Sequence, residues 1–267
     1  MLEQEEVFAE IDFNYLSRVK VEKEVWRINA EGMYYRDLNS LLRLICSNGA
    51  ERIEIHNVCG QRYIGTDLDT EKQIDVYGTP GNDLGAFMNG PRIVVHGNAQ
   101  DGCGNTMNEG QIVVHGQAGD LTGHSMRGGE IFVRDDVGYR VGIHMKEYKR
   151  KIPKIVIGGA AGDFLSEYMA GGVLLVLGLT LSECERCKAR FVGTGMHGGV
   201  IYERGDILEL GKGTRVMKVG KRDIRVIESL VNDYCGYFGV NFERVMSEKF
   251  RKIVPVSKRP YGQLYSH

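Results

Sequence analysis

Four short stretches carry residue types that could do chemistry. Cys184-Glu185-Arg186-Cys187 has the spacing of a metal-binding pair. A structural zinc needs four ligands, and no second close pair of cysteines exists. A reduced pair in a loop is the plainer reading, with Cys184 and Cys187 kept as the metal candidate. His96 and His115 lie one repeat apart, and on neighbouring strands they could sit roughly 5 Å from each other. Two stacked imidazoles could take a metal; a polar surface ladder is more ordinary. Gly123-His124-Ser125 suggests a serine nucleophile, but the G-x-S-x-G elbow fails because Arg127 precedes Gly128. Gly193-Thr194-Gly195-Met196-His197-Gly198 matches G-x-G-x-x-G. A dinucleotide site needs that motif after a strand and opening a helix, whereas these glycines belong to a repeat.

That repeat must position everything else, and it is clearest from Gln73 to Glu147. Ile74, Ile93, Ile112 and Ile131 are spaced by 19 residues, and Val76, Val95, Val114 and Val133 follow two places later. Gly78, Gly97 and Gly116 return at one offset, where Asp135 takes the fourth place. Gly85, Gly104, Gly123 and Gly142 return at a second offset, and Met88, Met107, Met126 and Met145 at a third. Ile155 restarts the pattern after five extra residues, with Met169 in phase. Leu174 continues it, and Ile201 opens a last partial unit ending at Gly205. Upstream, Ile55 lies 19 residues before Ile74 and is read as a possible opening of the array.

Each I-x-V run alternates as a strand does, and glycine reaches positive φ where the chain must turn. A strand, a corner and another strand in 19 residues is one coil of a parallel β-helix. One coil cannot bury its own apolar face, but a stack can. The expected fold is all-β: a single-stranded right-handed parallel β-helix of about seven coils with flanking α-helices at both ends. At roughly 4.8 Å per coil the rod would be on the order of 30 Å long.

Outward positions should be polar, yet one ladder reads Val94, Val113, Phe132, Val156 and Leu175. A strand apolar on both faces is covered on both, either by the chain's own helices or by a partner; these five residues are the candidate partner surface. The next outward ladder, Tyr77, His96, His115 and Arg134, is polar. Carboxylates are not clustered for acid–base work, as they are on the outer sheets of β-helix polysaccharide lyases.

Three segments follow: residues 1–50 with an amphipathic helix, 51–205 as the repeat, and 206–267 as a helical segment with a basic tail. Asp37–Asn48 reads as the first helix, with Asp37 and Gly49 as caps and Leu38, Leu41, Leu42 and Ile45 on one face. Val25–Ile28 reads as a short strand, and Thr79-Pro80-Gly81-Asn82 as a type II turn. Asp223–Phe238 reads as an amphipathic helix carrying Ile224, Ile227, Val231, Tyr234 and Phe238 on one side, ended by Gly239. Asn241–Phe250 reads as a shorter helix. The run Lys249–Arg259 is read as a solvated basic tail or a contact to an acidic partner. Insertions at 144–153, which is basic, and 180–190 interrupt the repeat, and function beyond scaffolding is expected there.

Composition narrows the classes. Thirty-six glycines against five prolines, with 42% hydrophobic residues, suit a periodic fold better than disorder. A net charge of −1 does not call for nucleic acid. Six scattered cysteines are not a disulfide framework. Met1–Glu10 is acidic, without the basic start and apolar core of a signal peptide, and no apolar run approaches a membrane span of roughly 20 residues. A soluble cytoplasmic protein is expected.

The repeat Gly116-x-x-Gly119-x-x-x-Gly123-x-x-Met126-x-Gly128-Gly129, with Gly60-x-Arg62-Tyr63-Ile64-Gly65 at its entry, resembles the Gly-x-Gly-x-Gly repeat domain at the C-terminal end of the glutamate synthase large subunit. The same repeat is shared with the C subunit of formylmethanofuran dehydrogenase. The resemblance implies a right-handed β-helix with a structural role, as in the stand-alone piece of a split, archaeal-type glutamate synthase. It further implies glutaminase and FMN/iron–sulfur synthase partners, with FMN and the iron–sulfur cluster in a partner and no cofactor on this chain. A homo-oligomer is also compatible. The N-terminal cysteine of the amidotransferase is absent, since Leu2 follows Met1.

Overall fold

The computed structural model describes residues 17–182, 189–207 and 209–257. These residues form one sheet of twelve strands built around a parallel β-solenoid of about six turns, with a few helices. In order, the strands are β1 (Val19–Glu22), β2 (Val25–Asn29), β3 (Arg52–Cys59), β4 (Gln73–Thr79), β5 (Asn89–Val95), β6 (Glu109–Val114), β7 (Glu130–Val133), β8 (Lys154–Ile157), β9 (Ala170–Val176), β10 (Gly198–Arg204), β11 (Thr214–Met217) and β12 (Phe250–Pro255). Strands β2 to β10 pair in parallel, each with the next. At the ends the direction reverses: β1 is antiparallel to β2, and β12 is antiparallel to both β10 and β11. The expected seventh coil is absent among the described residues because the unit opened by Ile201 is closed by this antiparallel strand.

The isoleucine ladder is the axis of the core. Ile53, Ile74, Ile93, Ile112, Ile131, Ile155, Leu174 and Ile201 are register partners in succession, and Ile253 of β12 caps the series. All are fully buried, as are Met88, Met107, Met126, Met145 and Met169. Ile55 belongs one place further on: it pairs with Val76, and Ile53 is the partner of Ile74. The segment between β3 and β4 is two residues longer than the repeat, which shifts the phase.

Each coil turns through three left-handed residues at alternate positions. Asp83–Gly85–Phe87, Leu121–Gly123–Ser125, Arg140–Gly142–His144 and Phe164–Ser166–Tyr168 all have φ between 51° and 70°. The middle position points inward. A Cβ at Gly85 would stand 2.8 Å from both Ile112 Cδ1 and Met88 Sδ, so side chain and backbone both demand glycine there. At Gly78 the φ of 125° and the carbonyl of Val58 in the previous coil impose the same choice. Gly81 keeps an ordinary φ, so Thr79–Asn82 is not a type II turn, which requires positive φ at its third residue.

Helix α1 (Tyr35–Ser47) seats Leu38, Leu41, Leu42 and Ile45 in the same core as the ladders, so it plugs the first coil. Asp37 lies within its first turn and does not cap it; the residue at the cap is Tyr34. Helix α2 (Lys221–Phe238) begins at Gly220, whose N–H donates to Asp223, and ends at Gly239 with φ 67°. Its buried face is Ile227, Leu230, Val231 and Tyr234, while Ile224 is 36% exposed. Helix α3 (Phe242–Met246) is shorter than expected, capped by Asn241 and followed by β12. The basic run after Lys249 is therefore part of the sheet: Lys252 pairs with Asp223 and Arg251 with Asp206.

Candidate functional site on the outer face

The outward ladder changes character along the rod. Its register partners run Arg27, Glu54, Asp75, then Val94, Val113, Phe132, Val156, Leu175 and Tyr202. The first part is charged, the rest apolar.

The apolar part was expected to be a partner surface, but the chain itself covers it. Phe132, Val156, Leu175 and Tyr202 pack in one cluster with Ile227, Leu230, Val231 and Tyr234 of α2 and Val245 of α3. Val94 and Val113 are buried too, at 5% and 1% exposure. Gln111 and His115, on either side of Val113, contact the end of α2: Gln111 donates to Tyr237 Oη at 3.0 Å, and His115 meets the Phe238 ring edge-on at 5.1 Å. Polar pins hold the helix in place. Tyr234 Oη donates to the carbonyl of Arg134 at 2.8 Å, and Asp223 Oδ1 accepts from Tyr202 Oη at 2.6 Å and from Lys252 Nζ at 2.7 Å. Burial opposes the Asp223 charge, but Lys252, Tyr202 and the Gly220 N–H outweigh it and hold the carboxyl below the usual range.

The charged part is a closed network. Glu54 and Asp75 are 8% and 3% exposed. Arg27 Nε donates to Glu54 at 2.8 Å, and His56 Nε2 lies 3.1 Å from the same carboxylate. Asp75 is met by Arg52 at 3.3 Å, by Gln73 Nε2 at 2.9 Å and by His96 Nε2 at 2.9 Å. The hydrogen bond from Arg27 and the nearby His56 hold the Glu54 carboxyl low against its burial. Beside the carboxylates, His56, Tyr77, His96 and His115 stack in one column, with centroids 4.5, 4.3 and 5.6 Å apart and planes within 11° of parallel. Burial, then His96, pushes the His115 imidazole below its ordinary pKa. The carboxylates have their acceptor sites occupied and the rings are locked by their neighbours. The patch is built to stay as it is rather than to move protons.

The other candidates resolve similarly. His96 turns its Nε2 to Asp75 while its ring stacks on Tyr77 and His115, so the two histidine nitrogens do not converge. Among the described residues no three His, Cys, Asp or Glu side chains are grouped to hold a metal. Cys184 and Cys187 lie outside the described residues. Ser125 Oγ is 3.5 Å from His124 Nε2, and His124 Nδ1 is 3.1 Å from Asn105 Oδ1. The backbone N–H groups of His124, Ser125 and Met126 all donate to carbonyls, so none is left there for an oxyanion. Gly193 and Gly195 turn the last coil, and strand β10, not a helix, follows. Burial pushes the Cys46 thiol up to about 11 and the Cys103 thiol up to about 12, away from thiolate chemistry.

Sequence reading missed Glu54, Asp75 and His56, because the outward ladder was followed only from Val94 onward. The signal was available: shifting the phase by two residues before Ile74 places Glu54 and Asp75 in that ladder and His56 beside Tyr77. No helix among the described residues is long and apolar enough to cross a membrane.

With this geometry in hand, the comparisons with known proteins are consistent with the architecture. The GXGXG motif family matches residues 46–257. The chain is also similar to an uncharacterized protein, MJ1350, of Methanocaldococcus jannaschii, at 46% identity over 249 residues, covering 90% of this chain and 95% of that protein.

Proposed function

From the premise that the chain belongs to the GXGXG motif family, the glutamate synthase C-terminal domain family, we propose that it is the structural subunit of a split glutamate synthase. Its work is to hold a glutaminase polypeptide and an FMN- and iron–sulfur-containing synthase polypeptide in fixed relation. Ammonia released from glutamine is then used for glutamate formation from 2-oxoglutarate without escaping. The rod is read as right-handed, as in that family, and the complex as cytoplasmic. FMN and the iron–sulfur cluster are assigned to the partner, because the described residues offer no grouped ligand set for a cluster.

One observation carries this reading. The repeat spends its residues on architecture: ladders inside, a self-covered face outside, and a saturated charge network on the remainder. Such a body is stiff, because interiors this closely packed do not deform continuously.

The experiment is glutamine-dependent glutamate synthesis by the two catalytic polypeptides with and without this chain. Coupled synthesis is expected to rise severalfold only when the chain is present, with 2-oxoglutarate consumed in step with glutamine. Equal rates with and without it, and no co-elution, sink the reading and turn attention to a formylmethanofuran dehydrogenase-like complex, in which the same repeat occurs.

A further inference from the structure

The structure carries one appendage that the solenoid does not need. Between β7 and β8 the chain runs five residues longer than the 19-residue repeat, yet Ile131 and Ile155 keep register. The extra length is spent on a tight hairpin. Tyr148 N donates to Lys151 O at 3.2 Å and Lys151 N donates to Tyr148 O at 3.0 Å. Lys149, first of the two turn residues, has a φ of 58°, the positive value that two-residue hairpin turns favour. The base is tied to earlier coils. Lys151 forms an ion pair with Glu109 and reaches Asn89 Oδ1 at 3.3 Å, and its aliphatic stem packs at Gly128. Glu147, the one acid of the segment, accepts from Gly172 N at 3.2 Å.

What remains is presented outward. Tyr148 and Ile152 are 49% and 47% exposed. Lys146, Lys149 and Arg150 are exposed and have no ion pair among the described residues; Lys149 only lies 5.2 Å from the Tyr148 ring. A rigid tip with a tyrosine, an isoleucine and three unopposed cations has the composition of an interface anchor. Its charge selects a negative partner. A nucleic acid fits less well: three cations on one hairpin are a short footprint beside the several phosphate contacts that duplex binding uses, and the whole chain has a net charge of −1.

We propose that the 146–152 hairpin is the docking element for an acidic protein surface on one of the two catalytic polypeptides, with Tyr148 and Ile152 entering an apolar depression and Lys146, Lys149 and Arg150 meeting carboxylates at its rim. This rests on the scaffold reading above.

The test compares the native full chain with two variants, K146E/K149E/R150E and Y148A/I152A, in binding to the glutaminase and synthase polypeptides at low and at 0.5 M added salt (about three times physiological ionic strength). Each variant is expected to weaken association with one polypeptide by about tenfold or more. Added salt should weaken the native complex in the same sense, and the melting temperatures should stay at the native value because the residues are exposed. Native-strength binding by both variants overturns the hairpin as the contact and leaves the scaffold reading standing. No association of the native chain with either polypeptide overturns both. Binding of a DNA or RNA duplex by the native chain that the charge-reversal variant loses replaces the acidic protein with a polyphosphate and overturns the proposal.

Discussion

At the scale of single residues, the corners show what a sequence can and cannot reveal. The inward left-handed position is legible because a Cβ there collides with the ladder, so it reads as a glycine column: Gly85, Gly104, Gly123 and Gly142. The two left-handed positions flanking it are silent. Their side chains point out, and residues as different as Asp83, Leu121, Arg140 and Phe164 occupy one of them. Left-handed backbone at a non-glycine costs roughly 1 kcal/mol or more. Hydrogen bonds between coils offset that cost, as where Leu121 N donates to Tyr139 O at 2.9 Å and Phe164 N to Arg190 O at 2.9 Å. Ser166 is the exception that tests this account. It occupies the inward position with φ 57°, is fully buried, and its Oγ has no hydrogen-bond partner. Ser166→Gly should therefore raise the unfolding free energy by about 1 kcal/mol, from relief of backbone strain and of an unmet hydroxyl. A urea midpoint that stays put or falls would show that the corner tolerates a side chain there without cost.

At the scale of elements, helices α1 and α2 were readable from their periodicity, and α1 presents the face it was expected to present. What escaped was the context. Whether α2 or a partner covered the apolar ladder could not be read from spacing, because both solutions leave the same residues apolar. The α2 face is also rotated from expectation: Leu230 is buried and Ile224 is not, since the helix lies across ladders and answers to their spacing as well as its own. Strand β12 was hidden because Phe250–Pro255 sits in a basic run, where the charges suggested solvent; its one fully buried side chain is Ile253. Phe132 is the test of α2 as a lid. It is fully buried and meets the Tyr237 ring edge-on at 5.0 Å. Phe132→Ala should cost about 3–5 kcal/mol, and hydrogen exchange should quicken first in residues 221–238 while the ladder strands stay protected. Equal loss of protection in helix and ladder would mean that lid and rod open as one unit.

At the scale of the whole molecule, the rod is defined by how it stops. Helix α1 plugs the first coil, and β12 lies across the last with Ile253 opposite Ile201. Removing β12 by ending the chain at Lys249 should leave the edge of β10 open to other chains. A mass that grows with concentration is the expected result in sedimentation or light scattering; a well-behaved monomer would show that the last coil protects itself. The reversed strands at the two ends have a further consequence. A stack of identical units has no inherent length, and any copy could accept another in the same direction. A terminal strand running the opposite way refuses that addition, so the separation between the two ends becomes an integer count of 19-residue modules. Evolution or engineering could lengthen the molecule only in steps of roughly 4.8 Å, one whole module at a time. Whatever binds along it must therefore be matched to a ruler with fixed graduations.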